Sequence, residues 1–248
     1  MAEYRQLAHP PLREALIDLH IMDELPASFV EGIAGKPLAG FEAAIPMWRG
    51  RFTFQIQVGI DQPAPLGTTG SADERYGLRY VTPDGSKVAQ FRRDGATFSV
   101  LRDYANWEKA RAEARTLWTQ YCDWGSPKEV SRLAVRYINV LELPGGMDLD
   151  LYLAAGPRIP QELPQALNGF LHRVVIPFSA DGTTAIVTQA LEAPSGASVP
   201  IVLDIDVVYN CKLKAGSPAV WSELDRLREI KNRIFFSSLT EKAMEPYR

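Results

Sequence analysis

Two carboxylates, Asp204 and Asp206, lie two residues apart in the stretch LDIDV, and this spacing could support chemistry. Residues two apart in a β-strand point to the same side, so both carboxylates should share one face of a sheet. Paired carboxylates can hold a divalent cation or share a proton. No third ligand such as a histidine is close in sequence. The alternatives are therefore a solvated sheet face or pairing with basic residues of a neighbouring strand.

Arg136, in the stretch LAVRYIN, is the candidate counter-charge for these carboxylates. A guanidinium among small apolar neighbours is usually partnered. We therefore expect Arg136 to lie on a strand next to the one that carries Asp204 and Asp206. Such an ion pair could be structural, or it could be a recognition site for an anionic ligand, and the sequence leaves both open.

Lys231 and Asn232 place polar groups beside the apolar stripe of the last predicted helix. They could line a groove between the two halves of the chain, or they could lie at the rim of the core. Asn139 shares a predicted strand face with Tyr137, which makes it a further candidate. The candidate ligand-binding residues are Arg136, Asn139, Asp204, Asp206, Lys231 and Asn232.

Familiar catalytic and metal-binding motifs do not occur in the sequence. The histidines, His9, His20 and His172, share no metal-ligand spacing with one another or with the cysteines. There is no nucleophile elbow, HExxH or CxxC motif, and GIAGKPLAG lacks the Ser/Thr and the preceding strand of a phosphate-binding loop. The sequence therefore predicts no catalytic residue, no metal site and no cofactor, and an enzymatic role is left uncertain.

Composition limits the classes of protein to consider. The 248 residues are 46% apolar and 23% charged, with a formal net charge of −3, which is typical of a soluble globular protein. Mild acidity gives no overall signature of nucleic-acid binding, so a nucleic-acid partner is not expected. Arg79-Tyr80 and Phe91-Arg92-Arg93 could form a modest nucleic-acid face, but the outer side of an ordinary β-meander has the same pattern.

The cysteines and the apolar segments predict a cytoplasmic protein. Cys122 and Cys211 lie far apart in sequence and are expected to be reduced thiols. No apolar run approaches the ~20 residues that cross a membrane. The beginning of the sequence, MAEYRQLAHPP, has no hydrophobic signal region.

The first half of the chain reads as strand, helix, meander and long helix. Alternating apolar residues predict strands, and Asp-Gly pairs between such runs predict hairpins at Pro83-Asp84-Gly85 and Arg93-Asp94-Gly95. The predicted elements are a strand at Leu12–Ile21, a short helix at Leu25–Ala34, a strand at Arg51–Ile60, a polar loop at Asp61–Glu74, three strands of a meander, and a helix at Asn106–Trp124.

The second half repeats this order without detectable sequence identity. Its predicted elements are a strand at Ser131–Leu143, a weak helix at Gln161–Gly169, two strands around Asp181-Gly182, a strand at Pro200–Tyr209 and a helix at Pro218–Phe236. The prediction is an α+β fold of duplicated strand–helix–antiparallel meander–long helix units, 1–126 and 127–248, similar in order to TATA-binding-protein-like and helix-grip folds. These units could together form one compact domain. Trp107, Trp118, Trp221 and Leu224, which lie on the two long helices, should be buried.

The end of the chain should dock on the core. Phe235 and Phe236 are too apolar to be left in water, and Ser238 to Glu241 fits a capping box that would start a short second helix.

Five stretches in this order resemble a sporadically distributed family of prokaryotic proteins for which no activity is established. The stretches are PPLREALIDL, FRRDGATFSVLRDYANWEKARAEARTLWTQY, VRYINVLELP, LDIDV and LREIKNRIFFSSLTEKA. The resemblance covers essentially the whole chain. It implies a fold and a cytosolic prokaryotic setting, and it leaves the function open.

Two functions remain open from the sequence. The first is a non-enzymatic interaction or adaptor module, associated with defence or toxin–antitoxin genes, that binds a protein partner or a second copy. The absence of a catalytic set and the long loop at Asp61–Glu74 favour it. The second is a small-molecule-binding protein or hydrolase, with a groove between sheet and long helices lined by Arg136, Asp204, Asp206 and Lys231. A deep pocket bearing these side chains would favour the second function, and a flat exposed apolar patch would favour the first.

Overall fold

Strands with alternating apolar residues build most of the molecule. The computed structural model describes residues 5, 7–42, 44–55, 67–146, 148–165, 167–178, 182–193 and 198–248, with the backbone alone at 51–55 and 67–73. Within these residues the strands are β1 (Leu12–Ile21), β2 (Ile45–Gln55), β3 (Gly67–Val81), β4 (Lys87–Arg92), β5 (Gly95–Val100), β6 (Glu129–Pro144), β7 (Leu171–Phe178), β8 (Thr183–Leu191) and β9 (Ser198–Lys214). The helices are α1 (Ala27–Ile33), α2 (Trp107–Gly125), α3 (Ala219–Ser238) and α4 (Glu241–Met244), with single 3₁₀ turns at Leu149–Leu151 and Glu245–Tyr247.

All nine described strands form one antiparallel sheet in the order β2-β3-β4-β5-β1-β6-β9-β8-β7. The predicted class of duplicated strand–helix–meander–helix units is therefore wrong. Strands β1 and β6, one from each predicted unit, pair in the middle of this sheet. The helix expected at Gln161–Gly169 is absent, because the described residues there form turns and bends. Pro160 and Pro164 lack the N–H groups that a helix needs and disfavour helical backbone in the residues before them.

The Asp-Gly hairpins of the first half are confirmed, and one glycine is required by its surroundings. Strands β4 and β5 pair up to Arg92 opposite Gly95. Gly95 has a φ of +151°, and a Cβ there would lie 2.0 Å from the carbonyl oxygen of Leu19 on β1. Only glycine lets the turn approach β1 this closely.

The strand and loop predicted between α1 and β3 are shifted along the chain. Strand β2 starts at Ile45, six residues before the predicted Arg51. Of the predicted loop Asp61–Glu74, the part from Gly67 onward belongs to β3. Residues 56–66, which complete the predicted strand and loop, lie outside the described residues.

The helices α1, α2 and α3 pack on one face of the sheet, here called the helix face. Its buried residues include Ile17, Phe98, Val135, Leu203 and Ile205, which alternate along their strands with residues of the opposite face, here called the far face. The predicted burial of Trp107, Trp118, Trp221 and Leu224 is confirmed. None of the described helices combines the length and apolar composition needed to span a membrane.

The end of the chain docks on the core, but with a different cap from the predicted one. Phe235 and Phe236 are buried as expected. Helix α3 continues through Ser238, and the side chain of Thr240 caps α4 by accepting a hydrogen bond from the Ala243 N–H at 3.3 Å. Ser238 instead donates its hydroxyl to the carbonyl of Ile234 within α3, so it is not free to cap the next helix.

Candidate functional site

The structure divides the six candidate residues between the two faces of the sheet. Arg136, Asp204 and Asp206 lie on the far face, because they alternate with the buried residues of β6 and β9. Asn139, Lys231 and Asn232 lie on the helix face, where they line a common cavity. The two groups therefore do not share one groove.

Arg136 lies beside the two aspartates, as expected from the sequence. It is directly opposite Asp206 in the β6–β9 register, but its guanidinium donates to Asp204, with Nε to Oδ1 at 2.9 Å and Nη2 to Oδ2 at 2.6 Å. The Arg136 side chain is 41% exposed and that of Asp204 is 16% exposed, so this ion pair is only half desolvated.

Asp206 is the less satisfied carboxylate of the pair. Its Oδ1 is buried and has no hydrogen-bond partner among the described residues. Burial raises the pKa of Asp206, and Asp204 raises it further, while the nearby guanidiniums of Arg132 and Arg136 act in the opposite direction. No group of three or more His, Cys, Asp or Glu side chains that could hold a metal ion occurs among the described residues.

The far face also carries an ion network centred on Asp18 of β1. Asp18 accepts hydrogen bonds from Arg92 at 2.9 Å, Arg132 at 2.8 Å and Thr97 at 2.6 Å. Burial alone would raise the pKa of Asp18, but the hydrogen bond with His20 and the charge of Arg92 hold it well below its usual range. The network links β4, β5, β1 and β6, which gives it a structural role in joining four strands.

His20 is the titratable cation of this network. Its Nε2 lies 3.0 Å from Asp18, and its Nδ1 lies 3.4 Å from Asp94. Hydrogen bonds to these two carboxylates raise the pKa of His20 to about 9. Sequence reasoning missed this group, although Asp18 and His20 alternate with Ile17 and Leu19 in the way that marks charges on one strand face.

The aromatic residues of the suggested nucleic-acid face are not available for stacking on bases. Tyr80 and Phe91 are fully buried in the core. Arg92 bonds to Asp18 and also donates to Asp94 at 3.0 Å, so its charge is compensated within the protein.

A cavity of about 560 Å³ lies between β6, the start of α2 and α3. The strand β6 contributes two side chains of its helix face, α3 contributes polar residues of its second half, and the segment before α2 contributes a tyrosine. The lining residues that matter for its chemistry are Tyr104, Trp107, Tyr137, Asn139, Lys231 and Asn232.

Lys231 is the most unusual group of this cavity. It is only 8% exposed, and its Nζ lies 3.7 Å from the centroid of the Tyr137 ring while donating to Oδ1 of Asn232. Among the described residues no carboxylate forms an ion pair with it. Burial, and then the charge of Arg228, lower the pKa of Lys231 to about 7, and Glu229 opposes this only partly. Near neutral pH a substantial fraction of this amine is therefore uncharged.

Two tyrosines and an asparagine are fixed beside this amine. The hydroxyls of Tyr104 and Tyr137 are hydrogen-bonded at 2.7 Å, with their rings edge to face. Burial raises the pKa of both phenols, so both stay protonated near neutral pH. The Asn139 amide donates to the carbonyls of Tyr137 at 3.3 Å and Leu203 at 3.0 Å, which holds a polar side chain in an otherwise apolar core face.

Lys231 is the lining cation of this cavity that has no carboxylate partner among the described residues. The described lining of the cavity carries Arg5, Arg228 and Lys231 as cations and Glu108 as the carboxylate. The two arginines also contact acids outside the lining, Arg5 with Glu241 and Arg228 with Glu229. The arrangement suits a ligand with an anionic group.

Sequence reasoning found Asn139, Lys231 and Asn232 but not the tyrosines. Lys231 and Asn232 were found as polar residues beside the apolar stripe of a predicted helix, and Asn139 was found because it shares a predicted strand face with Tyr137. Tyr104 lies in a loop, where no periodicity marks it, and Tyr137 reads as an ordinary core aromatic.

Comparison with models of known protein families and with curated proteins gave no match to this chain.

Proposed function

We propose that this protein binds a small anionic molecule in the cavity beside Lys231. The observation that supports the proposal is a buried amine that has no described carboxylate partner and opens on a cavity of about 560 Å³. Burial of an unpaired charge is costly, so a position of this kind is unusual in a purely structural core. The volume lies within the range of roughly 300–1,000 Å³ that is typical of small-molecule sites.

The side chains that line the cavity indicate the chemical groups that the ligand should carry. Trp107, Phe235 and Phe236 provide apolar surface, and Lys231 and Asn232 provide polar groups at one side. A ligand with an aromatic or aliphatic body and an anionic head would contact both kinds of surface. Lys231, the lining cation without a described carboxylate partner, favours a carboxylate as that head.

Thermal unfolding in the presence of two aromatic acids, phenyllactate and phenylpyruvate, tests this proposal. A ligand that binds only the folded state raises the melting temperature, by about 2–4 °C for each kcal/mol of stabilisation in a protein of this size. Ala105 lines the cavity and is exposed, so Ala105→Trp should fill the cavity without disturbing the core. Ala112 is an exposed residue of α2 away from the cavity, which makes Ala112→Trp the matched control.

The expected result is a rise in melting temperature for the wild type and Ala112→Trp, and a smaller rise or none for Ala105→Trp. An equal rise in all three proteins would place binding elsewhere. No rise in the wild type with either acid would overturn the proposed ligand class.

An interaction module is the alternative function, and the edge strand β7 favours it. This strand ends the sheet, and Leu171, Val174, Val175 and Ile176 are exposed, Leu171 to 74%. Exposed apolar edge strands can pair with a strand of another chain. Light scattering of the wild type and Val175→Lys tests pairing with a second copy. A dimer that the substitution abolishes would support this alternative, and a wild type that is monomeric at all concentrations would contradict pairing with a second copy through β7.

A cytoplasmic location without a nucleic-acid partner remains part of the proposal. Cys122 and Cys211 are free thiols, and burial raises the pKa of each to about 11, so both are in the unreactive protonated form. This is compatible with a reducing compartment. The compensated charge of Arg92 and the burial of Tyr80 and Phe91 support the absence of a nucleic-acid face.

A further inference from the structure

We infer that Lys231 forms an imine with its ligand, which makes the ligand a ketone or aldehyde that also carries an anionic group, such as a keto acid. This inference rests on the proposed binding in the cavity beside Lys231. It goes further, because it assigns covalent chemistry to one atom of the chain, the Nζ of Lys231.

The Lys231 amine forms no ion pair with a carboxylate among the described residues. A lysine in an ion pair is held protonated and cannot act as a nucleophile, whereas a desolvated lysine near another cation can. Lys231 has the second kind of surroundings, because it is buried and the positive charge of Arg228 acts on it. Its only polar contact among the described side chains is Oδ1 of Asn232, which can accept a proton in a hydrogen bond but does not neutralise the amine.

Two acidic side chains lie near the Lys231 amine on the elements packed around it, and neither neutralises it. The charged and titratable side chains of the cavity come from four parts of the chain: Arg228 and Glu229 from α3, Tyr137 from β6, Tyr104 and Glu108 from the start of α2 and the segment before it, and Arg5 from the N-terminal segment. Only Glu108 and Glu229 are acidic, and neither forms an ion pair with Lys231 among the described contacts. Glu229 instead pairs with Arg228.

The cavity beside Lys231 also contains a proton donor and polar groups that can contact the anionic group of the ligand. The Tyr104 hydroxyl lines the cavity and is held by the hydroxyl of Tyr137 at 2.7 Å. A carboxylate next to the carbonyl of the ligand would lie beside Asn232 and Arg228, which line the cavity together with Lys231. The ring of Tyr137, whose centroid lies 3.7 Å from Nζ, blocks one side of the amine and so restricts the direction from which the ligand carbonyl can approach it.

The reaction balances without an oxidant or reductant. The lone pair of the neutral Lys231 amine attacks the carbonyl carbon, a C–N bond forms, and the π electrons of the C=O bond move to oxygen. One amine proton is transferred to that oxygen, by way of Tyr104, to give a carbinolamine. The C–O bond then breaks, the second amine proton leaves with the hydroxyl group as water, and a C=N bond remains. Each imine releases one water molecule.

Reductive trapping tests the inference on the intact protein. Phenylpyruvate is added with sodium cyanoborohydride, which reduces an imine to a stable secondary amine, and the modified lysines are mapped by mass spectrometry of peptides. The rate of modification of Lys231 is compared with that of Lys109, an exposed lysine of α2. We expect Lys231 to be modified at least about tenfold faster, since it is the amine with a free lone pair beside bound ligand.

The outcomes separate this inference from the proposed function. Phenyllactate has the same body and carboxylate but no carbonyl group, so it can bind without forming an imine. If both acids raise the melting temperature and Lys231 is modified no faster than Lys109, the imine is wrong and the binding proposal stands. If Lys231 is modified about tenfold faster than Lys109 in the wild type, keeps the same absolute rate in Lys109→Met, and the adduct is lost in Lys231→Met, the imine is supported. The wild-type comparison decides the question even if Lys231→Met does not fold.

Discussion

The amine of Lys231 lies 3.7 Å from the centre of the Tyr137 ring, in place of the carboxylate that a buried lysine would ordinarily contact. The ring face attracts an ammonium ion, but it cannot accept a proton. The amine can therefore be charged or neutral at little difference in free energy near pH 7, which follows from the lowering of its pKa to about 7. A group that changes charge at this pH, on the wall of a cavity, is the basis of the proposed function.

Replacement of Lys231 by methionine should stabilise the protein more at pH 7 than at pH 9. The pKa of Lys231 falls from 10.5 to about 7 on folding, so between these pH values the unfolded chain binds more protons than the folded one. The free energy of unfolding of the wild type should therefore rise with pH in this window, by at most about 1.4 kcal/mol per pH unit. Urea unfolding at pH 7, 8 and 9 should show the advantage of Lys231→Met shrinking as pH rises. Lys109→Met is the control, and an advantage that is independent of pH would contradict the assignment.

His20 should make the free energy of unfolding fall as pH rises, which is opposite to the effect of Lys231. Its pKa is raised from 6.5 to about 9 on folding, so the stability that it contributes is fully present below pH 6.5 and is lost as pH rises through about 9. His20→Gln should remove this part of the pH dependence. The measurement is the free energy of unfolding from pH 6 to pH 9 for both proteins. Identical slopes would show that the contacts of His20 with Asp18 and Asp94 do not depend on its charge.

The stability cost of replacing an arginine of the sheet by alanine should increase with the burial of its ion pair, in the order Arg13, Arg136, Arg92. Arg92 and Asp18 are each 10% exposed, so Arg92→Ala should cost about 3–5 kcal/mol. Arg136 and Asp204 are 41% and 16% exposed, which reduces the expected cost of Arg136→Ala to about 1–2 kcal/mol. Arg13 and Glu192 are 50% and 39% exposed, and Arg13→Ala should cost less than about 1 kcal/mol. Chemical unfolding of the three variants gives the order. A cost for Arg136→Ala equal to that for Arg92→Ala would mean that the Asp204 pair is effectively buried.

Met244 should anchor the end of the chain. It is fully buried in α4, and Met244→Ala should cost about 2–5 kcal/mol through lost contacts and the cavity left behind. Glu245, the exposed neighbour, serves as the control, because Glu245→Ala should change stability by less than about 0.5 kcal/mol. Thermal unfolding of both variants checks this. Equal effects would mean that α4 contributes little to the core.

Local patterns predicted the strands and helices, but the order of strands in the sheet depends on distant contacts. The strand predicted at Pro200–Tyr209 is present, with Ile201, Leu203, Ile205 and Val207 in the core, and the arginine between apolar neighbours correctly indicated the contact of Arg136 with the aspartates. The repeated order of elements suggested duplicated units, whereas β1 and β6 pair to make one sheet and a proline-containing stretch replaces a helix.

The candidate site was predictable only in part for the same reason. In the sequence, Asn139 was a polar residue on a predicted strand face and Lys231 was a polar residue beside the apolar stripe of a predicted helix. Their convergence requires β6 and α3 to pack together, although the two residues are about ninety positions apart. Arg136 was placed in one groove with Lys231 for a related reason. Sequence spacing shows which residues share a strand face, but it does not show which face a distant helix covers.

Isothermal titration of phenyllactate into the protein is the most direct test of the central claim, because this acid can occupy the cavity without covalent chemistry. We expect saturable binding of about one phenyllactate per chain to the wild type and to Ala112→Trp. In Ala105→Trp the affinity should be weakened at least about tenfold, or about 1.4 kcal/mol. The absence of saturable binding to the wild type, or equal affinities for Ala105→Trp and Ala112→Trp, would contradict a ligand site beside Lys231.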